Sequence, residues 1–199
     1  PMAGLNIGYL PQEASIFRKL TAEENVLAIL ETRGLPAGEQ HALARQLLEE
    51  LGIQPMARQP AYTLSGGERR RLEICRALAA SPSFILLDEP FAALDSVTRR
   101  RLIEDLHHLW AARHPRPAIV FVTHDIDEAV YLSQRIVLLR PRPGRIDEVV
   151  DVDLPEPRWE RDPRATPEFS ALRNHLWDRI HAMARDGEAL EELAAAFPM

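Results

Sequence analysis

Apolar residues fall into two alternating patterns along the chain, short continuous runs and stretches in which they recur every three to four positions. Leu5-Asn6-Ile7-Gly8-Tyr9-Leu10 reads as a buried strand that Pro11 stops, because proline offers no amide to a sheet ladder. Thr21-Ala22-Glu23-Glu24 has the spacing of a capping box and predicts a helix through about Thr32. Leu43, Leu47, Leu48 and Leu51 predict a second helix from about Glu39, stopped by Gly52. After Ser65-Gly66-Gly67-Glu68, a third helix places Leu72, Cys75, Leu78 and Ala79 on one face. The run Phe84–Leu87 suits a strand buried on both faces. A helix over about Ser96–Arg113, a strand over Ala118–Val122, a helix over Asp125–Ser133 and a strand over Arg135–Leu139 follow. Strands alternating with helices predict an α/β fold with a mostly parallel core sheet.

Beyond Leu139 the pattern changes. Pro141-Arg142-Pro143-Gly144 reads as a turn, Arg145–Leu154 as an outlying strand, and the proline-rich Pro155–Pro167 as an extended arm. Phe169, Leu172, Leu176, Ile180 and Met183 predict an amphipathic helix over Glu168–Arg185, with a shorter one over Glu188–Ala196.

Composition narrows the field. The 199 residues are 46% hydrophobic and carry a net charge of −6, which argues against a broad nucleic-acid-binding surface. No uncharged stretch approaches the roughly 20 apolar residues of a bilayer span, and the first residues lack the order of a signal peptide. The single cysteine, Cys75, excludes an internal disulfide and fits a reducing compartment. Lys19 is the one lysine against 23 arginines, so any chemistry that needs a lysine must use it.

Candidate chemistry gathers where predicted strands end. Phe84–Leu87 delivers Asp88 and Glu89 to the carboxyl edge of a parallel sheet, where α/β proteins bind ligands. Two adjacent carboxylates there can divide the work, one holding Mg²⁺ through water and the other taking a proton from an attacking water. Two solvated acids at a strand end is the plain alternative. Asp95 follows one short loop later, and the strand at Ala118–Val122 brings His124 to the same edge. Ser65 can cap the third helix while Glu68 reaches back to the Ser65 amide, and Gly66 and Gly67 leave first-turn amides open to a bulky anion. Taken alone, S-x-x-E is also the mark of any well-capped helix. His41, His107, His108, His114, His175 and His181 have no metal-ligand spacing, and the Arg69–Arg71 and Arg99–Arg101 runs read as solvated faces or subunit contacts.

Tyr9-Leu10-Pro11-Gln12, Leu64-Ser65-Gly66-Gly67-Glu68, Phe84-Ile85-Leu86-Leu87-Asp88-Glu89-Pro90, Ala93-Leu94-Asp95 and Thr123-His124-Asp125 occur in that order. Together they resemble the Q-loop, signature, Walker B, D-loop and H-loop of ATP-binding cassette (ABC) ATPases, over about residues 5–155. The resemblance implies a P-loop-nucleotidase-like α/β cassette, its mostly parallel sheet covered by helices on both faces, with a helical lobe inserted over about residues 20–80. Residues 1–155 would form a partial ATPase domain and 156–199 an extended arm and helical tail. The resemblance further implies that Gln12 and Asp88 hold Mg²⁺ and that Gln12 senses the γ-phosphate of ATP. Glu89 would activate the hydrolytic water and His124 would contact the γ-phosphate. Ser65, Gly66, Gly67 and Glu68 would bind ATP held by a second copy in a head-to-tail dimer, with Asp95 communicating across it.

The family also needs G-x-x-x-x-G-K-[ST], and Lys19 stands in no such pattern. The expectation is a chain that begins after the P-loop and the first strands, and that binds ATP poorly by itself. Two modest helices between Gln12 and Ser65 fit a transporter cassette better than one with an inserted coiled coil. Gly8–Phe17 and Ser65–Ala80 resemble the lipopolysaccharide-export ATPase. Thr123–Ala129, the Arg140–Ile146 turn and Asp151–Pro155 resemble ATPases of nitrate, sulfonate and taurine importers, which are favoured. The implied partners are a second ATPase subunit, transmembrane permease subunits and, indirectly, a periplasmic solute-binding protein, with no nucleic acid. The implied place is the cytoplasmic face of the inner membrane. Phe17, Leu20 and Leu27 are candidates for a permease-docking groove or for core. The alternatives are an export-type ATPase and a P-loop-lacking interaction fragment that does not hydrolyse ATP.

Overall fold

The computed structural model describes residues 7–113, 116–140, 144–158 and 160–196, with 186–196 by backbone alone. Leu5, Asn6, His114 and the Pro141–Pro143 part of the expected turn lie outside the described residues. The chain divides into two compact units, residues 1–124 and 125–199.

In the first unit, β1 (Ile7–Leu10), β2 (Phe84–Asp88) and β3 (Ala118–Val122) form a parallel sheet in the order β1-β2-β3. Leu10 pairs with Leu87 and Asp88 with Val122, so the three strands finish at one edge. That register brings Pro11-Gln12, Glu89 and Thr123-His124 out of the sheet side by side. Between β1 and β2 lie α1 (Ala22–Leu30), α2 (Ala37–Glu50) and α3 (Gly66–Ala79), and between β2 and β3 lies α4 (Ser96–Ala112). The expected capping box at Thr21 and Glu24 is present, with both reciprocal bonds made. Val26, Leu30, Leu47, Leu48, Leu72 and Cys75 are buried in the lobe of α1, α2 and α3.

Ile85, Leu87 and Ile119 face Ile74 and Leu78 of α3 and Leu106 and Leu109 of α4. The opposite face differs from the expectation of a strand buried on both sides. There Phe84 and Leu86 are only half-buried, and Ile7, Tyr9, Val120 and Val122 are exposed. Among the described residues, helices of this unit cover one face of the sheet.

The second unit holds α5 (Ile126–Leu132), β4 (Arg135–Arg140), β5 (Arg145–Asp151) and α6 (Pro167–Ala196). β4 was expected in the parallel sheet; instead it pairs antiparallel with β5 as a two-stranded hairpin. Two adjacent strands joined by a short turn satisfy each other's backbone locally, and hydropathy alone does not say which partner a strand takes. The arm after β5 is fastened by buried Val152, Leu154 and Arg158. α6 runs unbroken where two helices were expected, because one glycine inside a helix costs only about 1 kcal/mol. Phe169, Leu176 and Met183 on α6 are buried, whereas Ile180 is exposed. Among the described residues, no helix is long and apolar enough to cross a membrane.

Candidate active site

The sheet edge gathers three of the residues singled out by the sequence. Gln12 Nε2 donates to Glu89 Oε2 at 2.8 Å, and His124 Nδ1 lies 3.2 Å from Glu89 Oε1. A carboxylate can only accept, so Nδ1 carries the hydrogen in that second contact. Each Glu89 oxygen thus has one neighbour, one from the residue after β1 and Pro11, the other from the loop after β3. The Glu89 side chain is 28% exposed and that of His124 76%, so water reaches the cluster.

Glu89 reaches this position through an unusual backbone. Its φ is +40°, in the left-handed region that costs a non-glycine residue on the order of 1–3 kcal/mol. Two features hold the turn. The Glu89 amide donates to Val122 O at 2.9 Å, and Phe91, fully buried, packs against Phe121 with ring centroids 5.5 Å apart and the rings tilted by 39°. Asp88, the last residue of β2, sits directly before it.

Ser65 to Glu68 form a distinct feature at the start of α3. Ser65 Oγ accepts from the Glu68 amide at 3.3 Å, while Glu68 Oε2 accepts from the Ser65 amide and hydroxyl at 2.8 Å each. The hydroxyl is committed to the capping box that the spacing predicted, and an incoming phosphate must compete with Glu68 for it. The two glycines also separate. A Cβ on Gly66 meets nothing within 4 Å, which leaves approach open, whereas one on Gly67 lands 2.5 Å from the Thr98 methyl of α4. Gly67 is therefore required by close helix packing. Asp95 caps α4, accepting from the amides of Val97 and Thr98 at 3.1 and 3.0 Å, and the Thr98 hydrogen bonds foremost hold its carboxyl below the usual range.

Other expectations resolve case by case. Cys75 is buried against Leu47, and burial pushes its thiol up, away from reactivity. Phe17 is exposed beneath the Arg76 guanidinium, 4.4 Å from its ring centroid, and Leu20 and Leu27 are half-buried. Arg100 and Arg101 lie on a solvated face as expected. Arg70 does not: it is buried, with Glu73 as its partner at 2.8 Å. A run of three arginines conceals this, since only the helix phase relative to the sheet decides which of them points inward.

Among the described residues no group of three or more His, Cys, Asp or Glu gathers as a metal cage. The Gln12 amide oxygen and the Asp88 carboxylate are hard oxygen donors, of the type that fits Mg²⁺ keeping waters and taking substrate phosphates for its remaining positions.

A parallel sheet with a helical lobe beside it is a fold shared with an ATP-binding cassette among the similar solved structures. Residues 1–92, just under half of the chain, match the family model described as ABC transporter. The chain is 39% identical over 174 residues to a Brucella abortus protein named as an ATP-binding protein, covering 87% of this chain and 66% of that one. It is 43% identical over 181 residues to an aliphatic sulfonates import ATP-binding protein of Burkholderia cenocepacia, covering 89% of this chain and 63% of the relative. Among solved structures it is similar to a dimeric post-hydrolysis state of an ATP-binding cassette bound to ADP and Pi. That match has 31% identity and a TM-score of 0.62, over 73% of this chain and 62% of that one. The chain thus spans just under two thirds of the length of these relatives.

Proposed function

We propose that the complete gene product is the ATP-hydrolysing subunit of an ABC transporter and that the Gln12–Glu89–His124 cluster is its hydrolytic centre. The observation that carries this reading is the Glu89 carboxylate, placed by a strained backbone at the sheet edge with Gln12 and His124 on its two oxygens. Glu89 is the base that orients and deprotonates the attacking water, and His124 donates toward the phosphate oxygens as charge builds on them. Gln12 and Asp88 would hold Mg²⁺, which supplies charge neutralisation on the phosphates when bound. Ser65, Gly66, Gly67 and Glu68 face the nucleotide of a second copy, and Asp95 lies beside that interface. The dimeric cassette among the similar structures supports the pairing.

The relative named for aliphatic sulfonate import supports an importer of small organic or inorganic anions of the sulfonate, nitrate and taurine kind. On that reading the partners are permease subunits and, through them, a solute-binding protein, and the subunit sits peripherally on the cytoplasmic side of the membrane. MgATP turnover by the complete gene product with its permease tests the activity. Turnover is expected, with EDTA abolishing it and Gln12→Ala lowering it about tenfold; a permease-bound preparation without turnover overturns the reading. Cellular uptake of a short alkanesulfonate tests the solute class, and uptake that survives deletion of the gene overturns that part.

A further inference from the structure

Arg70 is the one member of the Arg69–Arg71 run that is buried, and its guanidinium meets three carbonyls in two separate stretches of backbone. Nε donates to Pro90 O at 2.6 Å and Nη2 to Asp88 O at 3.4 Å, so two carbonyls on either side of Glu89 answer to one side chain. Nη1 donates to Pro11 O at 2.9 Å, on the residue directly before Gln12. Glu73 balances the charge through Oε2 at 2.8 Å, and its Oε1 accepts from the Ser15 amide at 2.7 Å. The loop carrying Gln12 is therefore gripped at Pro11 by Arg70 and at Ser15 by Glu73. Arg76 adds a bond to Ser15 O and lies over Phe17.

A buried ion pair is weak support for stability alone, since an apolar pair of similar volume often serves as well. An apolar pair cannot hold three carbonyls in fixed relation; a planar guanidinium with five donors in a rigid fork can, whereas the three donors of a lysine radiate from a single rotatable nitrogen. The carbonyls it holds flank the left-handed Glu89 and precede Gln12. Arg70 also stands on the helix whose first turn is the Ser65 cap. We propose that Arg70, with Glu73 as its partner, is a positioning residue that sets Glu89 and Gln12 through their neighbouring carbonyls and ties both to α3. The kinetic half of this proposal rests on the hydrolytic reading of the site; the geometric half does not.

Two measurements test it. In the chain itself, amide hydrogen exchange compares wild type with Arg70→Met. Protection at the Glu89 amide is expected to fall at least about tenfold, with the α2 amides of Leu47 and Leu48 unchanged. Unchanged protection at Glu89 overturns the proposal. If Arg70→Met does not fold, Glu73→Gln replaces it; protection lost at Ser15 supports the proposal and protection retained there overturns it. In the complete gene product, Arg70→Met is expected to lower kcat about tenfold or more, with KM for MgATP within about twofold. In a Glu89→Gln background the same substitution is expected to lower the residual rate by a clearly smaller factor than in wild type, because one of the two residues through which it acts is already disabled. An equal loss in both backgrounds marks a merely structural arginine and overturns the proposal. Protection lost at Glu89 in Arg70→Met, together with a wild type that hydrolyses no ATP, leaves the positioning role standing and refutes the hydrolytic reading instead.

Discussion

Each unit buries an arginine against backbone carbonyls, and the two do different work. Arg158 in the second unit is 1% exposed and sends Nη1 to the carbonyls of Val130, Tyr131 and Ser133 at 3.2, 2.7 and 2.9 Å. These belong to the end of α5, where helical carbonyls have no partner of their own, so Arg158 is a cap that fastens the arm to a helix end. Glu156 pairs with it from the surface, and Arg164 lies 4.0 Å over the Tyr131 ring nearby. All three carbonyls lie within one stretch of chain, and none flanks a strained residue. Arg70 instead joins the chain after β1, the chain after β2 and α3. The same guanidinium chemistry secures one element in the second unit and relates three in the first. What an arginine's acceptors belong to tells more about its role than how deeply it is buried.

The largest expected effect that separates the two is on folding. Arg158→Met leaves the α5 carbonyls without their donor and is expected to destabilise the second unit by about 3 kcal/mol, measured by urea denaturation. A loss below about 1 kcal/mol breaks the view of Arg158 as a fastening. His124→Ala removes a donor at the Glu89 carboxylate and is expected to lower kcat of the complete gene product about 100-fold, or roughly 2.7 kcal/mol, while leaving thermal unfolding in place. Ser65→Ala removes the α3 cap and is expected to cost about 1 kcal/mol of stability even without nucleotide, because the hydroxyl is already engaged by Glu68. A variant of undiminished stability contradicts that engagement.

The smallest effect is one of pH. Arg179 foremost, then Arg140, hold the Asp147 carboxyl below its usual range. A lowered folded value contributes stability that is fully present above the unfolded value near about 3.9 and is lost as pH falls through the folded one. The unfolding midpoint of the second unit is therefore expected to drop on acidification below about pH 4, and Asp147→Asn is expected to flatten that slope. Parallel slopes in both proteins contradict the assignment.

Much of the first unit was legible because its signals are local. Thr21/Glu24 and Ser65/Glu68 mark helix starts by spacing alone, and the runs at Phe84–Leu87 and Ala118–Val122 mark strands; the structure places all four where the pattern does. Glu89 and His124 were individually visible as residues at strand ends, and Gln12 through the resemblance of Tyr9-Leu10-Pro11-Gln12 to a Q-loop. Their contact depends on the register that aligns Leu10 with Leu87 and Asp88 with Val122, which no local pattern contains. Arg70 escaped for the same reason, since its acceptors are carbonyls, present at every residue and invisible to composition. In the second unit, the hairpin of β4 and β5 and the passage of α6 through Gly187 turned on competition between elements that hydropathy does not rank.

The hydrolytic reading stands or falls on the Glu89 carboxylate. Its most direct test is single-turnover hydrolysis of MgATP by the complete gene product carrying Glu89→Gln, an isosteric change that keeps a hydrogen-bonding side chain beside Gln12 and His124 and removes the base. The expected result is ATP bound with near wild-type affinity and cleaved at least about 100-fold more slowly; cleavage at the wild-type rate contradicts the account.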